Sequence, residues 1–176
     1  SGIAQGDVFG SSVSISGDYA IVGVPGDDGD GYGSQGFGGA YIFKRDGTSW
    51  SQQAKLTAAD KAPRDYFGSS VSIDGDYAIV GAANRRSAYI FKRSGTTWTQ
   101  QANLRYSGIA QGDVFGSSVS ISGDYAIVGA PGNDCDGYVS RGVGCSSILN
   151  PDGTSWLPQA KLTAPDKAPP DYFGSS

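Results

Sequence analysis

The eighteen residues from Gly6 to Gly23, GDVFGSSVSISGDYAIVG, return without a change from Gly112 to Gly129. A looser copy, RDYFGSSVSIDGDYAIVG, lies between them from Arg64 to Gly81. A chain that repeats itself this closely folds as copies of one small unit, each burying an apolar face against its neighbour. Phe-Gly pairs at Phe9, Phe67, Phe115 and Phe173 mark the copies, with spacings of 58, 48 and 58 residues. Residues 1–70 match residues 107–176 at 54 of 70 positions. The difference between long and short copies sits in one connection. From each Phe to the strand that opens at Ala40, Ala88 or Ser146 the distance is 31, 21 and 31 residues, and from there to the next Phe it is 27 every time. One variable loop on a constant unit produces that pattern.

Each unit reads as four strands. FGSSVSIS alternates, with Val13 and Ile15 on one face and Ser12, Ser14 and Ser16 on the other. Gly17-Asp18 suits a type II′ hairpin, which takes Gly at its first central position. DYAIVG is apolar and β-branched enough to be buried on both faces. Ala40–Arg45 is the third strand, Asp46-Gly47 reads as a type I′ turn, and the fourth strand follows with Trp50 and Leu56 as its large apolar residues. The second unit has Ser94-Gly95 at the same turn. No stretch has helical periodicity. Four-stranded antiparallel units of about 50 residues are the blades of a β-propeller, and an open array of hairpins is the competing architecture. The preferred reading is all-β, with blade 1 at residues 1–66, blade 2 at 67–114, blade 3 at 115–172 and the start of a further blade at 173–176. The variable loops are 23–39, 81–87 and 129–145.

Composition removes several function classes. A net charge of −4 leaves no basic patch for nucleic acid. No run of 18 apolar residues is present, so membrane insertion by a helix is not expected. The chain has no His, which removes the commonest general base and transition-metal ligand. The repeated serines have no built-in base, no G-x-S-x-G elbow exists, and no carboxylate pair is singled out, so no enzyme is expected. Cys135 and Cys145 are separated by nine residues. They close a small loop if their Cα atoms come within about 7 Å, and otherwise stand as two free thiols.

Phe9-Gly10 with Gly23-Val24-Pro25, and Phe115-Gly116 with Gly129-Ala130-Pro131, resemble the two halves of the FG-GAP repeat, the blade motif of integrin α-subunit propellers and of many bacterial and marine secreted proteins. The middle unit keeps Phe67-Gly68 but has Gly81-Ala82-Ala83, without the proline. The resemblance implies a propeller, an extracellular or cell-surface setting, and in some blades a D-x-D-x-D-G calcium loop. Propellers of this family close with about seven blades. Three blades imply a piece of a longer array, copies that complete a ring, or an open assembly.

The long loops are the first candidate site. They read GVPGDDGDGYGSQGFGG and GAPGNDCDGYVSRGVGC. Asp27, Asp28 and Asp30, with Asn133, Asp134 and Asp136, offer oxygens on a tight turn, as calcium requires. They depart from the family loop, because only two alternating acids are present and no acid follows before Asp46 in the first copy. The same letters also read as a solvated Asp/Gly turn. Arg85 and Arg86 could meet an acidic loop of another copy or an anionic glycan, and also read as an exposed basic turn. Tyr32 and Tyr138 are the candidates for stacking on a glycan. Trp50, Trp98 and Trp156 recur in register with the Phe-Gly pairs and read as core between blades. In the third unit Asn150-Pro151 replaces Lys44-Arg45, and Pro151 reads as an edge or a distorted strand end, which marks either a subunit boundary or drift in one copy. These readings add up to a non-catalytic structural, self-assembling or adhesive scaffold. The alternative is a lectin-like or calcium-dependent module that binds glycan or protein through the long loops.

Overall fold

A computed structural model describes residues 6–28, 36–105, 113–132, 144–153, 155–166 and 172–176. The described residues form three antiparallel sheets of four strands, each an up-and-down meander in sequence order. The first contains β1 (Ser12–Ser16), β2 (Tyr19–Val24), β3 (Gly39–Asp46) and β4 (Ser49–Leu56). The second contains β5 (Phe67–Asp74), β6 (Tyr77–Ala82), β7 (Ser87–Ser94) and β8 (Thr97–Leu104). The third contains β9 (Val119–Ser122), β10 (Tyr125–Ala130), β11 (Cys145–Asp152) and β12 (Ser155–Leu162). The helical residues described are a single 3-10 turn, Ala83–Arg85, which fills the short loop of the second unit. These are the all-β propeller blades expected from the repeat. Among the described residues no helix is long and apolar enough to cross a membrane.

Local sequence explains the strands and their turns. The first hairpin pairs Ser16 with Tyr19, and its turn has positive φ at Gly17 but not at Asp18, as a type II′ turn requires. The second hairpin differs from the Asp-Gly reading. β3 runs on through Asp46, which pairs with Ser49, so the turn residues are Gly47 and Thr48. Positive φ occurs at Gly47 only, whereas a type I′ turn needs it twice. The Ser94–Thr97 hairpin is shifted in the same way. Each outer strand also carries a bulge, which leaves Gln53 unpaired in the first sheet where Ile42 pairs Ala54 and Phe43 pairs Gln52. Gln101 and Gln159 take that place in the other two.

The core lies between sheets. One cluster joins Ile21, Ile42 and Leu56 to Phe67, Val71, Ile73 and Tyr89. The other joins Ile79, Ile90 and Leu104 to Phe115, Ile121, Val128 and Trp156. Only the middle blade has a neighbour on both sides, so only there is the AIVG strand buried on both faces, from Ala78 to Ala82. In the outer blades the strand alternates: Ile21 is buried and Val22 half-buried in the first, while Val128 is buried and Ile127 half-buried in the third. The Phe and Trp positions follow the same rule. Phe9 is 44% exposed and Phe115 3%; Trp50 is 41% exposed, and so not core, while Trp156 is 6% exposed. Pro151 is likewise not on an edge strand. It sits where β11 overhangs β10, one residue past Asn150 and two past the last pair, Ala126–Leu149. The backbone N–H of Arg45 and of Arg93 donates to Asp18 and Asp76 at this place in the other blades, and proline has no N–H to do so.

Candidate functional site at the blade joint

The Phe-Gly pair is the centre of a tight turn. The N–H of Ser11 donates to the Val8 carbonyl, and the same bond recurs from Ser69 to Tyr66, Ser117 to Val114 and Ser175 to Tyr172. Gly10, Gly68, Gly116 and Gly174 hold φ between +83° and +92°, the third position of a type II turn, which favours Gly. The turn of one blade docks on the preceding blade. A Cβ built on Gly68 would fall on the Gly39 carbonyl, and one on Gly116 on that of Ser87. The preceding blade supplies a second glycine, the last letter of AIVG. A Cβ on Gly23, Gly81 or Gly129 would strike the carbonyl of Gly68, Gly116 or Gly174. The two halves of the motif, far apart in each unit, therefore meet across the gap between units.

Polar contacts repeat with the same step. Ser12 Oγ donates to the Gly68 carbonyl, Ser70 Oγ to Gly116 and Ser118 Oγ to Gly174, each at 2.9 Å. Ser14 Oγ accepts from the Ile73 N–H and Ser72 Oγ from that of Ile121, both at 3.2 Å. Those serines satisfy backbone groups of the next blade. At the outer end, Trp98 stands edge-on to Tyr19 at 6.2 Å and Trp156 to Tyr77 at 5.7 Å. The Trp98 indole N–H donates to Gln53, the residue its bulge leaves unpaired. Asp74, in the middle blade, accepts from Ser16 on one side and from the Gly123 N–H on the other. Those two donors hold its carboxyl below the usual range, the Gly123 N–H most strongly.

The polar candidates of the loops have other work in this fold. Asp27 is 4% exposed. Its carboxylate accepts from Tyr41 at 2.7 Å and pairs with the Lys55 ammonium at 2.8 Å. Burial, and then the hydrogen bond to Asp27, raise the Tyr41 pKa. Burial works against the Lys55 ammonium, yet the Asp27 carboxylate raises its pKa above the ordinary value. A carboxylate already neutralised by an ammonium does not fit a calcium ligand. Arg85 pairs with Asp60 at 2.8 Å and Asp65 at 3.0 Å, so it is not the free cation that the loop reading needs. Asp60 also receives Tyr89, Asn103 and Arg105. Burial would raise the Asp60 pKa, but Tyr89 and Arg85 outweigh it and hold it low. Arg86 closes the 3-10 turn in the left-handed conformation, with φ 56°. Asp28 is half-buried, and among the described residues no group of three or more acids or thiols is placed to hold a metal. Asp30, Asn133, Asp134, Asp136, Tyr32, Tyr138 and Cys135 lie outside the described residues. Cys145 is held in a disulfide.

The FG-GAP repeat family model matches residues 1–43, 50–91 and 98–143. The chain belongs to the FG-GAP repeat family. FG-GAP repeats form propeller-type modules, generally non-catalytic and typical of extracellular proteins. Among solved structures the chain is similar to Saccharomyces cerevisiae Sqt1, with a TM-score of 0.58 and 8% identity. That match covers 94% of this chain and 38% of Sqt1, and at this identity it speaks to fold alone. No curated protein matches the chain.

Within the FG-GAP repeat, the sequence reading missed one recurring residue. Asp7, Asp65 and Asp113, two places before each Phe, are buried. Asp65 accepts from the Ala62 N–H at 2.6 Å and pins the connection between blades. The signal was available: an acid repeated in register at D-x-F-G in every unit, while the loop acids are absent from the middle unit. Asp27 becomes Asn133, Tyr41 becomes Ser147, and Gly39 becomes Cys145, so the third unit exchanges the Asp–Tyr anchor for a disulfide.

Proposed function

We propose that this chain is a non-catalytic scaffold module of an extracellular or cell-surface assembly, adhesive or filamentous, that grows by adding blade to blade. The observation that carries this reading is the joint. The Phe-Gly turn, the last glycine of AIVG and the strand serines of the copied stretch all serve the contact between one blade and the next, and the two outer blades each leave one side of that contact open. On the first blade the open side carries Phe9, Val13, Ile15 and Trp50. Burying side chains of this kind contributes about 1.5–3 kcal/mol each, and contiguous exposed apolar patches mark interaction surfaces. The disulfide at Cys145 suits an oxidising compartment. Binding through the long loops would have to use Tyr32, Tyr138 and acids outside the described residues, while Arg85 and Asp27 are already paired. Light scattering across a range of concentrations tests the scaffold reading. The expected result is a mass that rises with concentration above that of one chain; a constant single-chain mass sinks it.

A further inference from the structure

The two open faces are the two halves of one joint. On the third blade the open side presents a shallow depression of about 340 Å³ lined by Ser120, Ser122, Tyr125, Ile127, Ile148 and Gln159. These stand where Ser14, Ser16, Tyr19, Ile21, Ile42 and Gln53 stand on the first blade, the side that receives the second. All six residue types are the same. The first blade, in turn, exposes the Phe9, Val13, Ile15 and Trp50 side chains whose counterparts Phe67, Val71, Ile73 and Trp98 dock there.

We propose that a second copy of this chain docks head to tail, its first blade on the open face of the third, with its Trp50 against Tyr125. The joint between the first and second blades supplies each contact. Trp98 on Tyr19 becomes Trp50 on Tyr125, which are 41% and 53% exposed. The indole bond to Gln53 becomes one to Gln159, and the Ile73 N–H on Ser14 becomes the Ile15 N–H on Ser120. The interface is heterologous, so it continues into a ring or a filament according to the rotation per copy. One seat is contested. Ser118 Oγ already donates to the Gly174 carbonyl, and Gly144 bridges Phe173. Phe9–Ser12 of the incoming copy has the same four letters as Phe173–Ser176 and displaces them from that seat.

This inference rests on the scaffold reading and names its contact, so the test separates the two. Sedimentation velocity is run on the full chain, on Trp50→Ala and on Tyr125→Ala, with circular dichroism as the check on folding. Val13→Lys, at a fully open position, serves as a third variant. Each variant is expected to weaken self-association at least about tenfold. Mixing Trp50→Ala with Tyr125→Ala is expected to restore a capped one-to-one pair, because each retains the half the other lacks. Removing residues 173–176 is expected to tighten association. If the full chain associates but the variants match it, or the mixture stays apart, or the truncation weakens association, the docking is overturned and the scaffold reading stands. If the full chain remains single at every concentration, both fall, and the face belongs to another occupant such as a following repeat.

Discussion

The first and third blades contain the same eighteen residues and bury them differently. In the first, Ile21 faces the second blade and Val13 and Ile15 face outward. In the third, Ile121 and Val128 face the second blade and Tyr125 faces outward. Identical letters cannot encode opposite burial, so what they encode is a strand with two apolar faces, one for each neighbour. Burial is then fixed by position in the stack. The middle blade, flanked on both sides, is the one in which the repeat is fully used. This is also why residues that look like core by their regular recurrence stand exposed on the open side of the first blade.

The glycines of the Phe-Gly turns give the largest expected break in that comparison. Gly10 and Gly116 share sequence context and nearly share φ, at +87° and +89°. A Cβ on Gly10 meets nothing within 4 Å, whereas one on Gly116 meets the Ser87 carbonyl. Alanine at either position is strained by about 1 kcal/mol. At Gly116 it also forces the joint apart, a further 1–3 kcal/mol by analogy with overpacked cores. Urea denaturation of Gly10→Ala and Gly116→Ala at low protein concentration should show a loss several times greater for Gly116. Equal losses would mean that position in the stack does not matter.

The sequence made the strands legible because their period of two and their turn glycines are local. It made the unit legible because the copies align. It misplaced one hairpin by a residue, since Asp-Gly favours a type I′ turn on its own while the paired strands carry on through Asp46. What it could not show was which of two apolar faces is covered, because that information is not in the letters. The partners of Asp27 and Arg85 were hidden for a different reason. Asp27 is completed by Tyr41 and Lys55, 14 and 28 residues away, on β3 and β4. Arg85 is completed by Asp60 and Asp65, 25 and 20 residues away in the preceding connection. Proximity of that kind is made by the sheet, and a motif read along the chain stops short of it.

A smaller effect lies in the third blade. Phe9 packs against Tyr41 and Phe43, at 6.2 and 6.4 Å, and Phe67 against Tyr89 and Phe91, at 5.4 and 6.0 Å. In the third unit these partners are Ser147 and Leu149, and a cavity of about 80 Å³ opens between Leu104, Phe115, Ser147, Leu149 and Trp156. Restoring the aromatic residues should fill it. Ser147→Tyr and Leu149→Phe, singly and together, are expected to stabilise the chain by about 0.5–2 kcal/mol. The mirror change Phe91→Leu in the middle blade should destabilise by a similar amount. Thermal melts of the four variants check both signs, and destabilisation by the aromatic residues would show that the third blade has settled on a packing of its own.

The smallest effect concerns Asp74, at the first hairpin of the middle blade, where both neighbouring blades have serine, Ser16 and Ser122. Its carboxylate reaches both flanking blades, to the Gly123 N–H and to Ser16, and these keep its pKa below the ordinary value. A group whose folded pKa is depressed contributes stability that is complete above its unfolded pKa, near 3.9, and is lost as the pH falls through the lower folded value. Asp74 is only half-buried, so screening limits that contribution to a few tenths of a kcal/mol. Asp60, whose pKa is also held low, adds a loss of the same sign on the same side of the pH range. Melting temperature should therefore be flat through neutral pH and fall below about pH 4. Asp74→Ser makes the middle turn read like its neighbours, and it should remove part of that fall without changing the neutral plateau by more than the same few tenths of a kcal/mol. If the acid limb is identical in Asp74→Ser, the carboxylate does not bridge the blades, and the acid sensitivity belongs to the other depressed carboxylates, Asp60 and Asp18, and their partners.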